Sequence, residues 1–192
     1  MADVHENGYL DEALFDPSVL NQLDMSQFKA EYKNVTTPLT PEHNLQIRPL
    51  HLEDYDKGYL DLLKQLTTVG DVTREEFVDR FQKMKACPDT YYIVVIEDLK
   101  SGQIIGSATL VKEQKFIHHL SSRGRVEDVI VSDLYRGKEL GKLLVDILVC
   151  LSQQLNCYKV SLECKDDNLK FYCQFGFERT PGQNFMQQRF YD

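Results

Sequence analysis

The residues best suited to chemistry lie between Val126 and Leu144: Val126-Glu127-Asp128-Val129-Ile130-Val131-Ser132-Asp133-Leu134-Tyr135-Arg136-Gly137-Lys138-Glu139-Leu140-Gly141-Lys142-Leu143-Leu144. The β-branched run at its start predicts a strand over Gly124 to Val131. Leu140, Leu143, Leu144, Ile147, Leu148, Leu151 and Leu155 recur at helical spacing and predict an amphipathic helix starting near Arg136–Lys138. The loop between them carries Arg136, Gly137, Lys138 and Gly141. A helix start offers unpaired N–H groups at the positive end of its dipole, and glycine lets an anion come close to them. With two cations added, the loop suits a pyrophosphate. Plain helix capping fits the same residues. The spacing excludes the G-x-x-x-x-G-K-[ST] phosphate loop and the dinucleotide fingerprint.

Other candidate groups are scattered. Glu127 and Asp128 are consecutive on the predicted strand, so alternation sends them to opposite faces. One of them could orient or deprotonate a nucleophile, and an edge-strand charge pair fits equally. Tyr172, in a predicted short helix Asp167 to Gln174, reads by itself as a packing aromatic. Thr67, Lys115, His118 and Arg189 each read alone as solvated surface. The five cysteines are odd in number and lack C-x-x-C spacing, which argues against a disulfide framework or a zinc site. None has a histidine nearby in sequence to activate it as a nucleophile. His118-His119 is a poor metal pair, since adjacent side chains diverge.

The elements that must position these groups are legible in the 192 residues. Residues 1–43 are polar and turn-rich. The first 40 hold seven acids and two bases, so most of the net charge of −8 sits there. The stretch is expected to be an acidic, flexible tail, with docking of Leu14–Leu20 left open. The domain, residues 44–192, starts with a strand at Leu45 and Ile47. Helices follow at Tyr59–Leu66 and from Thr73 through Met84, the second opened by a Thr73/Glu76 capping box. Tyr91–Asp98 and Ile104–Lys115 form a hairpin, Tyr158–Cys164 another strand, and Phe185–Tyr191 a final one. This order predicts a mixed α/β fold, a mixed central sheet with helices on both faces. No apolar run reaches the ~20 residues of a bilayer span, no signal-peptide pattern is present, and no basic footprint points to nucleic acid. A cytoplasmic protein is expected.

Arg136-Gly137-Lys138-Glu139-Leu140-Gly141 resembles the R/Q-x-x-G-x-G/A acetyl-CoA loop of the GNAT superfamily, the acyl-CoA N-acyltransferase fold. Leu66-Thr67-Thr68-Val69-Gly70, Lys115-Phe116-Ile117-His118, Gly124-Arg125-Val126-Glu127-Asp128, Asn156-Cys157-Tyr158-Lys159 and Asn168-x-x-Phe171-Tyr172-x-x-Phe175-Gly176-Phe177 are similar to its branch that acetylates glucosamine 6-phosphate. These segments occur in the family's order over residues 45–192. The resemblance implies that the strand Val129-Ile130-Val131 pairs with the pantetheine arm. It also implies that residues 136–142 (Arg136, Gly137, Lys138, Glu139, Leu140, Gly141, Lys142) cradle the pyrophosphate, with Asn168 capping a helix or touching CoA. Tyr172 would assist the departing thiolate, and Glu127 or Asp128 would orient or deprotonate the sugar amine. Thr67, Lys115, Phe116, Ile117, His118, Glu163 and Arg189 would contact the sugar phosphate. The family implies no metal, and a homodimer with sugar sites completed across the interface by the C-terminal strand. The implied reaction moves acetyl from acetyl-CoA to the 2-amino group, toward UDP-N-acetylglucosamine. Alternatives are a GNAT enzyme for another amine (polyamine or protein lysine) and a non-catalytic CoA-binding regulatory module.

Overall fold

The structure, a computed structural model, describes residues 12–33 and 44–190. Five strands form one sheet in the order β1-β2-β3-β4-β5: Leu45–Pro49, Tyr91–Asp98, Gln103–Gln114, Ser122–Val131 and Cys157–Ser161. The first four pair antiparallel and β5 pairs parallel to β4, giving the mixed sheet that the sequence predicts. The helices are α1 (Ser18–Asn21), α2 (Tyr59–Lys64), α3 (Arg74–Lys85), a one-turn α4 (Ile117–Leu120), α5 (Leu140–Gln154) and α6 (Leu169–Cys173). Parallel neighbours require a crossover, and α5 supplies it between β4 and β5.

Helices cover both faces. On one, α5 buries Leu140, Leu143, Leu144, Ile147, Leu148 and Leu151 against Val94, Ile96, Ala108, Leu110 and Val126. Full burial of each aliphatic side chain contributes about 1.5–3 kcal/mol, so this face dominates the core. Closest approach is at Gly124, where a Cβ would come 3.1 Å from Leu110 and 3.2 Å from Ser152. On the other face α2 and α3 bring Tyr59, Leu62, Phe77 and Phe81 onto Ile93, Val95 and Ile104. The Thr73/Glu76 capping box opens α3 as expected. A buried ion network ties the chain after β1 to the sheet: Arg48 meets Asp54 at 2.7 Å and Glu97 at 2.6 Å, and Lys57 meets Glu97 at 2.9 Å. Each buried charge is thus partnered, the condition for tolerating it.

Three expectations need correction. Over residues 12–33 the chain departs from a flexible tail: Leu14, Leu20 and Leu23 are buried, and Leu14 N–H donates to the Leu50 carbonyl at 2.8 Å. The apolar side chains of Leu14–Leu20 find a core to enter, so the docking left open does occur. Residues 1–11 and 34–43 lie outside the described residues. Second, Phe185–Phe190 forms no strand, because it pairs with none of the five strands of the sheet and a strand exists only in its pairing; Tyr191 lies outside the described residues. Third, α5 starts at Leu140 rather than at Arg136–Lys138, since Gly137 (φ 81°) and Glu139 (φ 60°) take left-handed conformations through which a right-handed α-helix cannot continue.

Candidate active site at the fork between β4 and β5

The site is built where two paired strands part. Pairing of β4 with β5 runs from Ser122↔Cys157 to Arg125↔Ser161, and β5 then ends. From Val126 to Val131, β4 therefore presents backbone N–H and C=O groups toward a fork. Its other wall is the segment that leads into α6.

A bulge shapes the fork. Ser107 of β3 faces Ile130 while Thr109 faces Glu127, so two residues of β4, Asp128 and Val129, stand opposite Ala108 alone. Asp128 carries the strain at φ 50°. Val126 and Val129 both pack on the α5 side, whereas Ile130 packs on the opposite one. This corrects the expectation that Glu127 and Asp128 face opposite sides. The extra residue breaks the alternation, and both carboxylates lie off the α5 face. Asp128 is exposed at its tip yet partly walled by protein, close enough to Tyr59 on the face away from α5 for its charge to be felt there, and this partial burial, then the charge of Glu127, raises its pKa.

Beyond β4 the chain makes a single turn at Asp133–Tyr135 and enters the loop that precedes α5. There Arg136 pairs with Asp133 at 2.5 Å, and the Lys138 ammonium lies 5.4 Å from the Tyr135 ring centre. Gly137 needs its left-handed φ, and no atom would crowd a Cβ there. The first bond of the α5 turn is Leu143 N–H to the Glu139 carbonyl at 3.1 Å, so Leu140, Gly141 and Lys142 have no helical acceptor for their amides. Gly141 faces the fork: a Cβ on it would sit 3.9 Å from Val131 Cγ2 and 3.8 Å from Phe171 Cζ, ordinary contacts. An anion at this end of a 15-residue helix meets free amides and the positive dipole end.

Tyr172 closes the fork from α6. Its ring is held by Phe171, 5.0 Å between centroids, and Phe177, 6.2 Å, in the cluster around Val145, Val149 and Phe175. Among the described residues its hydroxyl has no hydrogen-bond partner. Burial, with a smaller contribution from Cys164, raises its pKa, so the phenol keeps its proton at neutral pH. Asn168 occupies the N-cap of α6 without a side-chain capping bond.

On the face away from α5, an ion network joins β3, β4 and the chain after β5. Arg125 donates to Glu127 and, at 2.5 Å, to Glu163. Lys115 pairs with Glu113, which also lies 3.9 Å from Arg123. Arg123 donates to Ser161 at 2.9 Å. Sequence reasoning named Lys115, Glu127 and Glu163 but missed Arg125 and Arg123. The signal was available, because residues two apart on a strand share a face with Glu127. Beside this network α4 carries His118 (φ 51°), His119 (φ 57°) and Leu120 (φ 61°) in left-handed backbone, and the His118 ring stacks 4.2 Å from Tyr158. Phe116 and Ile117 flank it, exposed. Thr67 is exposed in the loop after α2. That loop reaches the fork through Gln65, whose Oε1 accepts from Asp133 N–H at 3.1 Å. Arg189 is exposed on the C-terminal run and pairs with no described residue, so this single chain does not bring it to the network.

A mixed sheet opened by a β4 bulge, with a helix start whose amides lack helical acceptors at the mouth of the fork, is the arrangement of an acyl-CoA-dependent transferase of the GNAT class. The chain belongs to the Acetyltransferase (GNAT) family, whose profile matches residues 48–177. Within that family it belongs with the glucosamine 6-phosphate N-acetyltransferases. A probable glucosamine 6-phosphate N-acetyltransferase of Drosophila melanogaster is 48% identical over 172 residues, 89% of this chain and 78% of the fly protein. The Dictyostelium discoideum glucosamine 6-phosphate N-acetyltransferase 1 is 41% identical over 72% of this chain and 87% of its own length. The crystal structure of the Arabidopsis thaliana glucosamine-6-phosphate N-acetyltransferase superposes with a TM-score of 0.72 at 36% identity, over 77% of this chain and 99% of that one. Among the described residues no helix is long and apolar enough to cross a membrane.

Proposed function

We propose that the protein transfers the acetyl group of acetyl-CoA to the 2-amino group of D-glucosamine 6-phosphate. The products are N-acetyl-D-glucosamine 6-phosphate and CoA, in a step toward UDP-N-acetylglucosamine. The observation that carries the reading is the fork itself: unpaired β4 backbone, free α5 amides and an unpartnered tyrosine hydroxyl meet in one cleft. The names of the relatives at 41–48% identity support the substrate.

Acetyl-CoA supplies the acetyl group as a thioester with a thiolate leaving group. The amides of residues 136–142 hold its pyrophosphate, with Arg136 and Lys138 nearby. The backbone of Val129, Ile130 and Val131 takes the pantetheine arm as a strand would, and Asn168 lies at the far wall. Asp128 accepts the amine proton: its raised pKa makes it a stronger base than an ordinary carboxylate. Glu127, held by Arg125, orients the sugar with Glu163. Tyr172 retains its proton and donates a hydrogen bond to the leaving sulfur. Lys115, His118 and Thr67 bind the sugar phosphate, with Phe116 and Ile117 shaping the wall.

The site is completed in a homodimer. Phe116 is 94% exposed, Leu120 71%, Met186 89% and Phe190 76%, an apolar set that a lone chain leaves in water. A partner's C-terminal run would cover it and bring in Arg189. The pathway step and a cytoplasmic location belong to the same proposal. A CoA-release assay with glucosamine 6-phosphate, spermidine and a lysine peptide tests it. Turnover on the sugar phosphate alone is expected; turnover on the polyamine or peptide alone, or on none, overturns it.

A further inference from the structure

The mechanism above leaves a fully buried carboxylate on α5 unused. Asp146 lies in the middle of α5 at 0% exposure. It accepts three hydrogen bonds, all from the segment before the domain: Lys29 N–H at 3.0 Å, Ala30 N–H at 3.1 Å and Tyr32 O–H at 2.7 Å. The bonds to the backbone amides read the path of the chain rather than its side chains.

The same segment runs antiparallel along α5. Gln154 Nε2 donates to the Val19 carbonyl at 2.9 Å near the helix C-terminus. Lys142 Nζ donates to the Glu31 carbonyl at 3.0 Å, and Lys33 N–H donates to Glu139 Oε2 at 2.8 Å, at the helix start. Residues 154, 146, 142 and 139 follow helical spacing, so they make one stripe that the strap covers from end to end. Glu139 Oε1 also accepts from Lys142 Nζ at 2.9 Å. The strap therefore ends on two members of the proposed pyrophosphate loop. One of them, Glu139, is the left-handed residue that sets where α5 begins. Ala30 packs as well on the Phe171, Tyr172 and Phe175 cluster, across the fork.

We propose that Asp146 is a positioning residue for cofactor binding: it anchors the strap 29–33, which holds Glu139 and Lys142 and so fixes the pyrophosphate loop before acetyl-CoA arrives. The inference rests on the acetyl-CoA reading. A loop already ordered loses less freedom on binding, which tightens affinity without touching the transfer step. Coupling is reciprocal, so bound CoA must in turn stabilise the strap.

Calorimetry on the wild-type chain comes first: absence of acetyl-CoA binding would remove the cofactor reading itself. With binding present, Asp146→Asn is expected to raise the acetyl-CoA Kd about tenfold and Tyr32→Phe about threefold, with kcat at saturating acetyl-CoA within twofold of wild type. Phe81→Leu, in the core on the opposite face of the sheet, is the control for general destabilisation and is expected to lower Tm with Kd unchanged. Hydrogen exchange supplies the readout a merely structural strap would not move. Amides of residues 29–33 are expected to exchange more slowly in wild type with CoA bound, and that gain is expected to shrink in Tyr32→Phe, which stands in should Asp146→Asn not fold. Unchanged Kd in the folded strap variants, the same Kd rise in Phe81→Leu, or exchange at 29–33 indifferent to CoA would each overturn the proposal.

Discussion

Replacing Tyr172 by Phe separates chemistry from packing more cleanly than any other change in the fork. The ring contacts with Phe171 and Phe177 and the packing on Val145, Val149 and Phe175 survive, because they involve only carbon atoms. The hydroxyl makes no hydrogen bond to any described residue, so its loss breaks none. Burying an unsatisfied hydroxyl costs about 1–3 kcal/mol when burial is complete, and Tyr172 is only partly buried. The folded state should therefore be unchanged or gain up to about 1 kcal/mol, a Tm rise of at most ~4 °C for a chain of this size. If the phenol assists the departing thiolate, the chemical step should slow by ~10²–10⁴-fold, or about 2.7–5.4 kcal/mol of barrier. Single-turnover measurement of CoA release, with the enzyme in excess, isolates that step from product release. Acetyl-CoA affinity should stay near wild type. A variant with wild-type stability and a single-turnover rate within twofold of wild type would refute the role and leave Tyr172 as a packing ring.

If Asp128 is the base, Asp128→Asn is expected to lower kcat by ~10²-fold or more in steady-state assays. It should also stabilise the fold at neutral pH, because a carboxyl whose folded pKa is raised destabilises the native state when ionised. That gain is present above the raised folded pKa and vanishes below the ordinary Asp value, as thermal melts across pH will read. Asn is the right probe because it, like Asp, tolerates the φ of 50° found there. Gly141→Asp should leave the fold intact, given ordinary 3.8–3.9 Å contacts for a Cβ, and weaken acetyl-CoA binding by ~10-fold or more through bulk and like charge. Calorimetry on the folded variant checks it.

The parts of this molecule that were legible in the sequence are those set by local pattern. The leucine periodicity of α5, the alternation and turn of the β2–β3 hairpin and the Thr73/Glu76 box each encode their element within a few residues. The loop before α5 was legible as a break between strand and helix, because Gly137 marks a turn and the leucine repeat marks where the helix runs. What escaped depends on partners distant in the chain. The bulge at Asp128 exists only in the pairing with Ser107 and Thr109, and without it the two carboxylates fall on opposite faces. Asp146 reads in sequence as a polar position on an amphipathic helix; its burial requires residues 29–32, more than 110 positions away. The final strand failed for the complementary reason: its composition favours extended chain, but a strand exists only in its pairing, and Phe185–Phe190 pairs with no described strand.

The central claim is that the enzyme acetylates a phosphorylated amino sugar and uses the phosphate to place the amine. The most direct measurement is kcat/KM for D-glucosamine 6-phosphate against D-glucosamine at fixed, saturating acetyl-CoA, for wild type and Arg189→Ala. Binding energy from a remote phosphate can be expressed in positioning the amine, so the phosphorylated sugar is expected to be favoured by ~100-fold or more, and Arg189→Ala to narrow that ratio while acetyl-CoA affinity is kept. Equal kcat/KM for the two sugars in the wild-type enzyme would contradict the account.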